Sequence, residues 1–208
     1  MSTVQAPSNG YDAASSHVEA PQTMAQQVAE GKTFWVRAGA YLIDLVVLSV
    51  TSTSIGLVVG IFVGIALAVA GRDLASYGQP SRGWSWILGL VVSTAYFTLF
   101  EGLYGASVGK LILGMRVVRV DGRPCSLGAA FVRAILRLVD ALFFGLVAAA
   151  SMKPPLQQRL GDKAARTIVV GRNDPLVQEH RPWWLLLLAA LAYLVTATMG
   201  GVLILALR

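Results

Sequence analysis

From Ala38 to Ala70 the chain carries a single charge, Asp44, and from Trp84 to Phe100 and again from Trp183 to Leu207 it carries none. Uncharged apolar runs of this length are what hydrocarbon demands of a spanning helix. They predict an all-α integral membrane protein with three transmembrane helices, at about 36–70, 84–104 and 183–207. With 55% apolar and only 13% charged residues, the chain could not cover a soluble domain with charge. Residues 1–33 are rich in Ser, Ala, Gln, Asn and Pro and predict a flexible N-terminal tail. No apolar run of signal-peptide type lies in that tail, which leaves targeting to the first span. The lone Cys125 excludes an intrachain disulfide. The net charge of +6 fits basic cytoplasmic loops better than nucleic-acid binding.

As a helix the first block would run about 50 Å, well beyond a hydrocarbon core of about 30 Å, so it must tilt, bend or project. Ser52, Gly56, Gly60, Gly64 and Ala68 recur every fourth residue along one face. Small residues at that spacing admit a close neighbour, so Gly56, Gly60 and Gly64 are the candidate helix-packing residues, including for a homo-oligomer. The loops 104–126 and 151–182 are both basic, yet they flank 127–150. A full span there would set one basic loop outside, against the positive-inside rule. The expected arrangement is an interfacial helix followed by a re-entrant segment on the cytoplasmic side, with a full third crossing as the alternative. Arg133, Arg137 and Asp140 share one face of that helix, which is expected to meet lipid headgroups. Phe131, Ile135, Leu138 and Leu142 lie opposite. Val117, Val118 and Val120 before Asp121-Gly122 predict a strand entering a tight turn, a small β-hairpin element, and the run Thr167–Val170 is a second strand able to pair with it.

Arg37 and Asp44 recur on one face of the first helix, about 10 Å apart along its axis, too far for direct contact. An unpaired charge in the membrane core costs at least ~2.5–3.5 kcal/mol, so each requires another partner. Glu101, Lys110, Arg133, Arg137 and Asp140 are the candidates at the membrane edge, joined by Asp162. The expectation is one polar cluster, with Asp44 deepest.

Three stretches in this order, FWVRAGAYLIDLVV (34–47), EGLYGASVGKLILGMRVVRVDGRPCSLGAAFVRAILRLVD (101–140) and QRLGDKAARTIVV (158–170), resemble the RDD family of membrane proteins. The resemblance covers about residues 34–171; a linker at 172–182 and the final span follow. By motif position, the arginine and two aspartates that name the family fall on Arg37, Asp44 and Asp162. Two departures stand out: Gly161 occupies a position often held by histidine, and Arg166 one often held by glycine. The resemblance implies a membrane domain and, for some members, cation–proton exchange.

Other chemistry finds little footing. GASVGKL (105–111) has three residues between its glycines and Leu111 after the lysine, where a phosphate-binding loop needs four and a Ser or Thr. The expected role of that turn is to lead Lys110 to the membrane surface. No catalytic set, metal-ligand set or cofactor motif is expected. Two functions follow as expectations for a multi-pass protein of a bacterial cytoplasmic membrane with its N-terminus inside. One is a small transporter or transporter subunit moving cations against protons through Asp44. The other is a non-catalytic scaffold or accessory subunit that binds anionic lipid or a membrane partner protein.

Overall fold

The computed structural model describes residues 31–72, 82–142 and 145–206; the expected tail through residue 30 lies outside them. Helix α1 (Phe34–Val69) is followed by α2 (Arg82–Leu99), which widens into a π-helical turn over Phe100–Tyr104. Then come α3 (Val108–Ile112), β1 (Met115–Arg119), α4 (Leu127–Leu142), α5 (Leu146–Ser151), α6 (Leu160–Ala164), β2 (Thr167–Gly171) and α7 (Trp184–Ala206). Phe34–Val69, Gly83–Tyr104 and Trp184–Leu203 are long and apolar enough to cross a membrane. These are the three expected spans.

The ends of α1 and α2 are set by glycine. Gly71 (φ 64°) follows α1, with its N–H on the Ala68 carbonyl and that of Arg72 on Leu67. This pair of bonds satisfies carbonyls the helix leaves open. Gly105 (φ 87°) stops the π turn the same way, its N–H donating to the Phe100 carbonyl at 3.1 Å. Arg181 reaches back from the start of α7 and donates to the Leu103 (2.6 Å) and Cys125 (2.8 Å) carbonyls and to that of Gly102. A cation on the open carbonyls at a helix C-terminus is favourable. It also ties the final span to α2.

Helix α1 wears its polarity on the inside. Arg37, Ala40, Asp44 and Leu48, spaced three and four apart, form its buried stripe, while Leu42, Val46 and Val50 are exposed. At the level of Leu48, α1, α2, α4 and α7 meet around Tyr96, Phe97, Phe100 and Tyr193. Tyr96 and Tyr193 pack edge to face with centroids 5.3 Å apart, a geometry that adds to simple burial. Further along, Gly56 and Gly60 border a cleft with Ser85, Gly89 and Gly201, and a Cβ on either would meet nothing within 4 Å. Their small-residue face therefore has no close partner among the described residues.

Strands β1 and β2 pair antiparallel, Val117 opposite Val169 and Val118 opposite Ile168. Met115, Val117 and Val169 face Ala40, Cys125 and Ala130; Val118, Ile168 and Val170 face Leu176 and Val177. Buried on both sides, each such Val or Ile contributes about 1.5–3 kcal/mol. The turn at Asp121-Gly122 forms as expected, but its return makes only the single bridge Val118–Pro124. The lasting partner of β1 comes from the distant β2.

Ser126 caps α4, its Oγ accepting from the Ala129 N–H at 3.2 Å. The orientation of α4 corrects the sequence reading. Arg133 and Arg137 face the protein interior, 1% and 6% exposed, while Phe131 and Ile135 face outward at 49% and 42%. A charged face toward headgroups presumes that its partners lie outside the protein; here they are Glu101 and Asp162, within the fold.

Three backbone positions yield predictions. A Cβ at Gly109 would lie 2.0 Å from the Ala40 carbonyl oxygen of α1, so Gly109→Ala should cost about 1–3 kcal/mol as α3 is pushed off α1. Gly128→Ala, with open space around its Cβ, should leave the thermal midpoint in detergent unchanged or raised. Arg166 holds φ 51°, a left-handed conformation costing a non-glycine residue roughly 1–2 kcal/mol. After glycine's extra unfolded-state entropy is subtracted, Arg166→Gly should stabilise the fold by up to about 1 kcal/mol, read as a higher midpoint.

Candidate functional site

The polar residues divide into two centres rather than one cluster. The first surrounds Asp44, which is 1% exposed on α1. Its Oδ1 accepts from the Tyr96 hydroxyl at 2.8 Å and the Gly109 N–H at 2.7 Å, and its Oδ2 from the Ser107 hydroxyl at 2.6 Å. The Tyr96 oxygen in turn accepts from the Val108 N–H at 3.2 Å. Ser107 is the N-cap of α3, so two N–H groups that a helix start leaves open are satisfied from α1 and α2. Among the described residues no cation is paired with Asp44. Hydrogen bonds to a charged group are worth roughly 1.5–3 kcal/mol each, and three of them offset much of the cost of burying the carboxylate. The turn GASVGKL thus grips a carboxylate of its own chain where a nucleotide loop would grip phosphate.

The second centre is an ion-pair core around two acids. Glu101, on the π turn and fully buried, accepts from Lys110 Nζ (2.5 Å) and Arg137 Nη2 (2.7 Å) on one oxygen and from Arg133 Nε (2.9 Å) on the other. Asp162, on α6 and fully buried, accepts from Arg37 Nη1 at 2.5 Å and from the Arg159 N–H at 3.1 Å. Its other oxygen takes Arg133 Nη1. Arg133 therefore bridges both carboxylates, and it also donates to Thr167 Oγ1 on β2 at 2.6 Å. The Arg137 guanidinium lies 3.5 Å over the centroid of the Phe97 ring, a cation–π contact made stronger by desolvation.

Four cations (Arg37, Lys110, Arg133, Arg137) meet two anions (Glu101, Asp162) in this core. Asp140 pairs with Arg159 at 3.7 Å, not with Arg137 on its own helix. The positive excess acts on Lys110. Burial lowers its amine most, the Glu101 charge resists, and Arg133, Arg137 and Arg159 lower it further, to about 7. Burial favours a neutral Asp162, but Arg133, Arg159 and Arg37 overcome it and hold that carboxyl below the usual range. Burial likewise works against the charge on Arg133, which the Asp162 and Glu101 charges raise above its ordinary value.

Arg37, Glu101, Lys110, Arg133, Arg137 and Asp162 are thus brought together, Asp140 sits at their margin, and Asp44 stands apart. Lys110, expected at the membrane surface, is buried. The sequence reading missed Tyr96, Ser107 and Gly109 as partners of Asp44. A signal was available for the last two, since a Gly-rich turn opening a helix presents N–H groups to an anion, whereas Tyr96 lies in an apolar run that marks no partner. Gly161 also gains a reason: a Cβ there would meet Leu136 Cβ at 3.3 Å and the Arg133 backbone at 3.4 Å, so α6 approaches α4 too closely for a larger residue without adjustment.

The family model of the RDD family matches residues 32–166, which hold every charged residue of both centres. The chain is also similar to "Uncharacterized protein YckC" of Bacillus subtilis (strain 168), 32% identical over 120 residues, covering 57% of this chain and 68% of that protein. No solved structure matches it. With the motif arginine and second motif aspartate bonded to each other and the first aspartate clasping α3, the chain belongs to the RDD family.

Proposed function

We propose that this RDD-family membrane protein is a non-catalytic scaffold or accessory subunit, set in a bacterial cytoplasmic membrane with its N-terminus inside, that binds anionic lipid or a partner protein. The observation that carries this reading is the enclosure of Asp44 by three neutral donors out of reach of solvent, Ser107 and Gly109 tying α3 to α1 and Tyr96 tying α2 to it. A carrier acid must exchange its partners in every cycle; this one would have to release the start of α3 each time. Three spans without an internal repeat also offer little with which to build an alternating path.

Exchange of cations against protons is the second reading, and one feature favours it: burial within the core lowers the Lys110 amine to about 7, beside the Glu101 carboxylate that it contacts at 2.5 Å. On that reading the proton would ride on the Lys110 amine instead of on Asp44.

In proteoliposomes with an imposed pH gradient, the scaffold reading expects proton flux equal to that of empty vesicles. Cation-dependent flux abolished by Lys110→Met would establish the exchanger instead. Asp44→Asn places an amide NH2 among three donors and should destabilise the fold by about 2–4 kcal/mol, seen as a lower thermal midpoint. A variant as stable as the parent would mean that Asp44 does not hold α3. Native Cys125 is fully buried and makes a poor topology label. In a Cys125→Ala background, Arg123→Cys on the exposed turn should react only from the cytoplasmic side.

Lys110 also sets a pH slope. Its folded value, about 7, lies below an unfolded value of about 10.4, so between them the unfolded chain holds the extra proton. Stability should therefore rise as pH climbs from about 7 towards 10, and be lower and level in this respect below 7. The rise should vanish in Lys110→Met.

A further inference from the structure

Beside the ion-pair core lies a cleft of about 790 Å³ between the start of α1, the end of α4 and α5. Most of its wall is apolar, with Phe34, Leu42, Leu146 and Ala149 among the lining residues, but Arg37, Arg137 and Arg159 also line it. Each of these three keeps a buried nitrogen with no hydrogen-bond partner among the described residues: Arg37 Nη2, Arg137 Nη1 and Arg159 Nε. Arg37 and Arg137 are each only 6% exposed. Buried guanidinium N–H groups without acceptors are costly and uncommon, so three side chains that line one cleft and each keep such a group behind its surface mark a place for an anion. Asp140 lines it as well, and its buried Oδ1 lacks a donor among the described residues; it calls for a hydroxyl on the same ligand.

The position narrows the ligand further. The cleft opens at the first turns of a spanning helix, beside Trp35, which is 80% exposed. An exposed tryptophan at a span terminus sits at headgroup depth. An anion there with an apolar wall running on from it has the shape of a lipid, and anionic lipid is abundant at that surface.

We propose that this cleft is a binding site for an anionic glycerophospholipid with a hydroxylated headgroup, its phosphate held by Arg37, Arg137 and Arg159, its headgroup hydroxyl by Asp140, and an acyl chain along Leu42 and Ala149. This rests on the scaffold reading and gives its lipid partner a place and a chemistry. It also relocates the lipid contact: Arg133 serves the core alone, and the headgroup is met by Arg137 and Asp140 towards the end of α4.

Native mass spectrometry of the delipidated full chain in detergent tests the site, with phosphatidylglycerol and phosphatidylcholine of identical acyl chains titrated in. One phosphatidylglycerol should bind at concentrations about tenfold lower than phosphatidylcholine. Arg159→Gln, which removes a guanidinium outside the core pairs, should cut that preference below threefold. Ala149→Trp, which fills the apolar wall, should remove the first lipid while the thermal midpoint stays within a few degrees. Equal retention of the two lipids would overturn the proposal, as would a preference unchanged in both variants. Displacement of phosphatidylglycerol by millimolar inorganic phosphate as readily as by more lipid would reduce the site to a free-anion site and overturn the lipid assignment. Proton flux in proteoliposomes would overturn the scaffold reading while leaving these binding results intact, so the two fail separately.

Discussion

A buried guanidinium with no water to turn to must find acceptors within the fold, and Arg133 finds them on three separate elements. Through Glu101 it holds the end of α2, through Asp162 it holds α6, and through Thr167 it holds β2. Each acid then passes the connection on, Asp162 to Arg37 on α1 and Glu101 to Lys110 on α3 and Arg137 on α4. Deleting one partner leaves an uncompensated charge, which is far more costly than the pair is stabilising. Such a network contributes little net stability against an apolar packing, but it rejects every arrangement in which its members do not meet. In a bilayer, where helices gain little from hydrophobic burial against one another, that rejection is a strong means of fixing which helices pack.

The same constraint explains the reversed polarity of α1 and α4. In water, an amphipathic helix turns its apolar face inward because solvent rewards the other choice. With hydrocarbon outside, the buried stripe of α1 holds Arg37 and Asp44, and α4 turns Arg133 and Arg137 to the core while Phe131 and Ile135 face out. The strands obey the ordinary rule, with Val117, Val118, Ile168, Val169 and Val170 buried between two apolar faces. One chain therefore follows two rules of burial, one in helices α1 and α4 and the other in the strand pair.

The spans, the two strands and the motif residues were legible because each leaves a local mark: an uncharged run, a β-branched run, a charge where none is tolerated. The left-handed backbone at Arg166 was also marked, by glycine's usual place there in the family pattern. What the sequence concealed was direction. Periodicity shows that Arg133, Arg137 and Asp140 share a face but not which medium that face meets, and two basic flanking loops suggested headgroups. The division between Asp44 and the ion pairs was equally hidden. Its donors are a tyrosine hydroxyl, a serine hydroxyl and a main-chain N–H, and a search for a charge's partner looks first for the opposite charge.

The two centres are nonetheless joined by covalent structure. Ser107 and Gly109 serve Asp44, and Lys110, the next residue, serves Glu101. Within one turn of helix the chain hands a neutral cage to one acid and a cation to the other, with Gly109 seated against the Ala40 carbonyl and no room for a side chain. A shift of α3 large enough to free Asp44 would carry Lys110 from Glu101, and a change in the charge of Lys110 would alter the anchor on which that cage depends. The two acids are thus coupled without touching. Such coupling suits a rigid frame, because a part that must move independently cannot share its smallest element with the part that must stay.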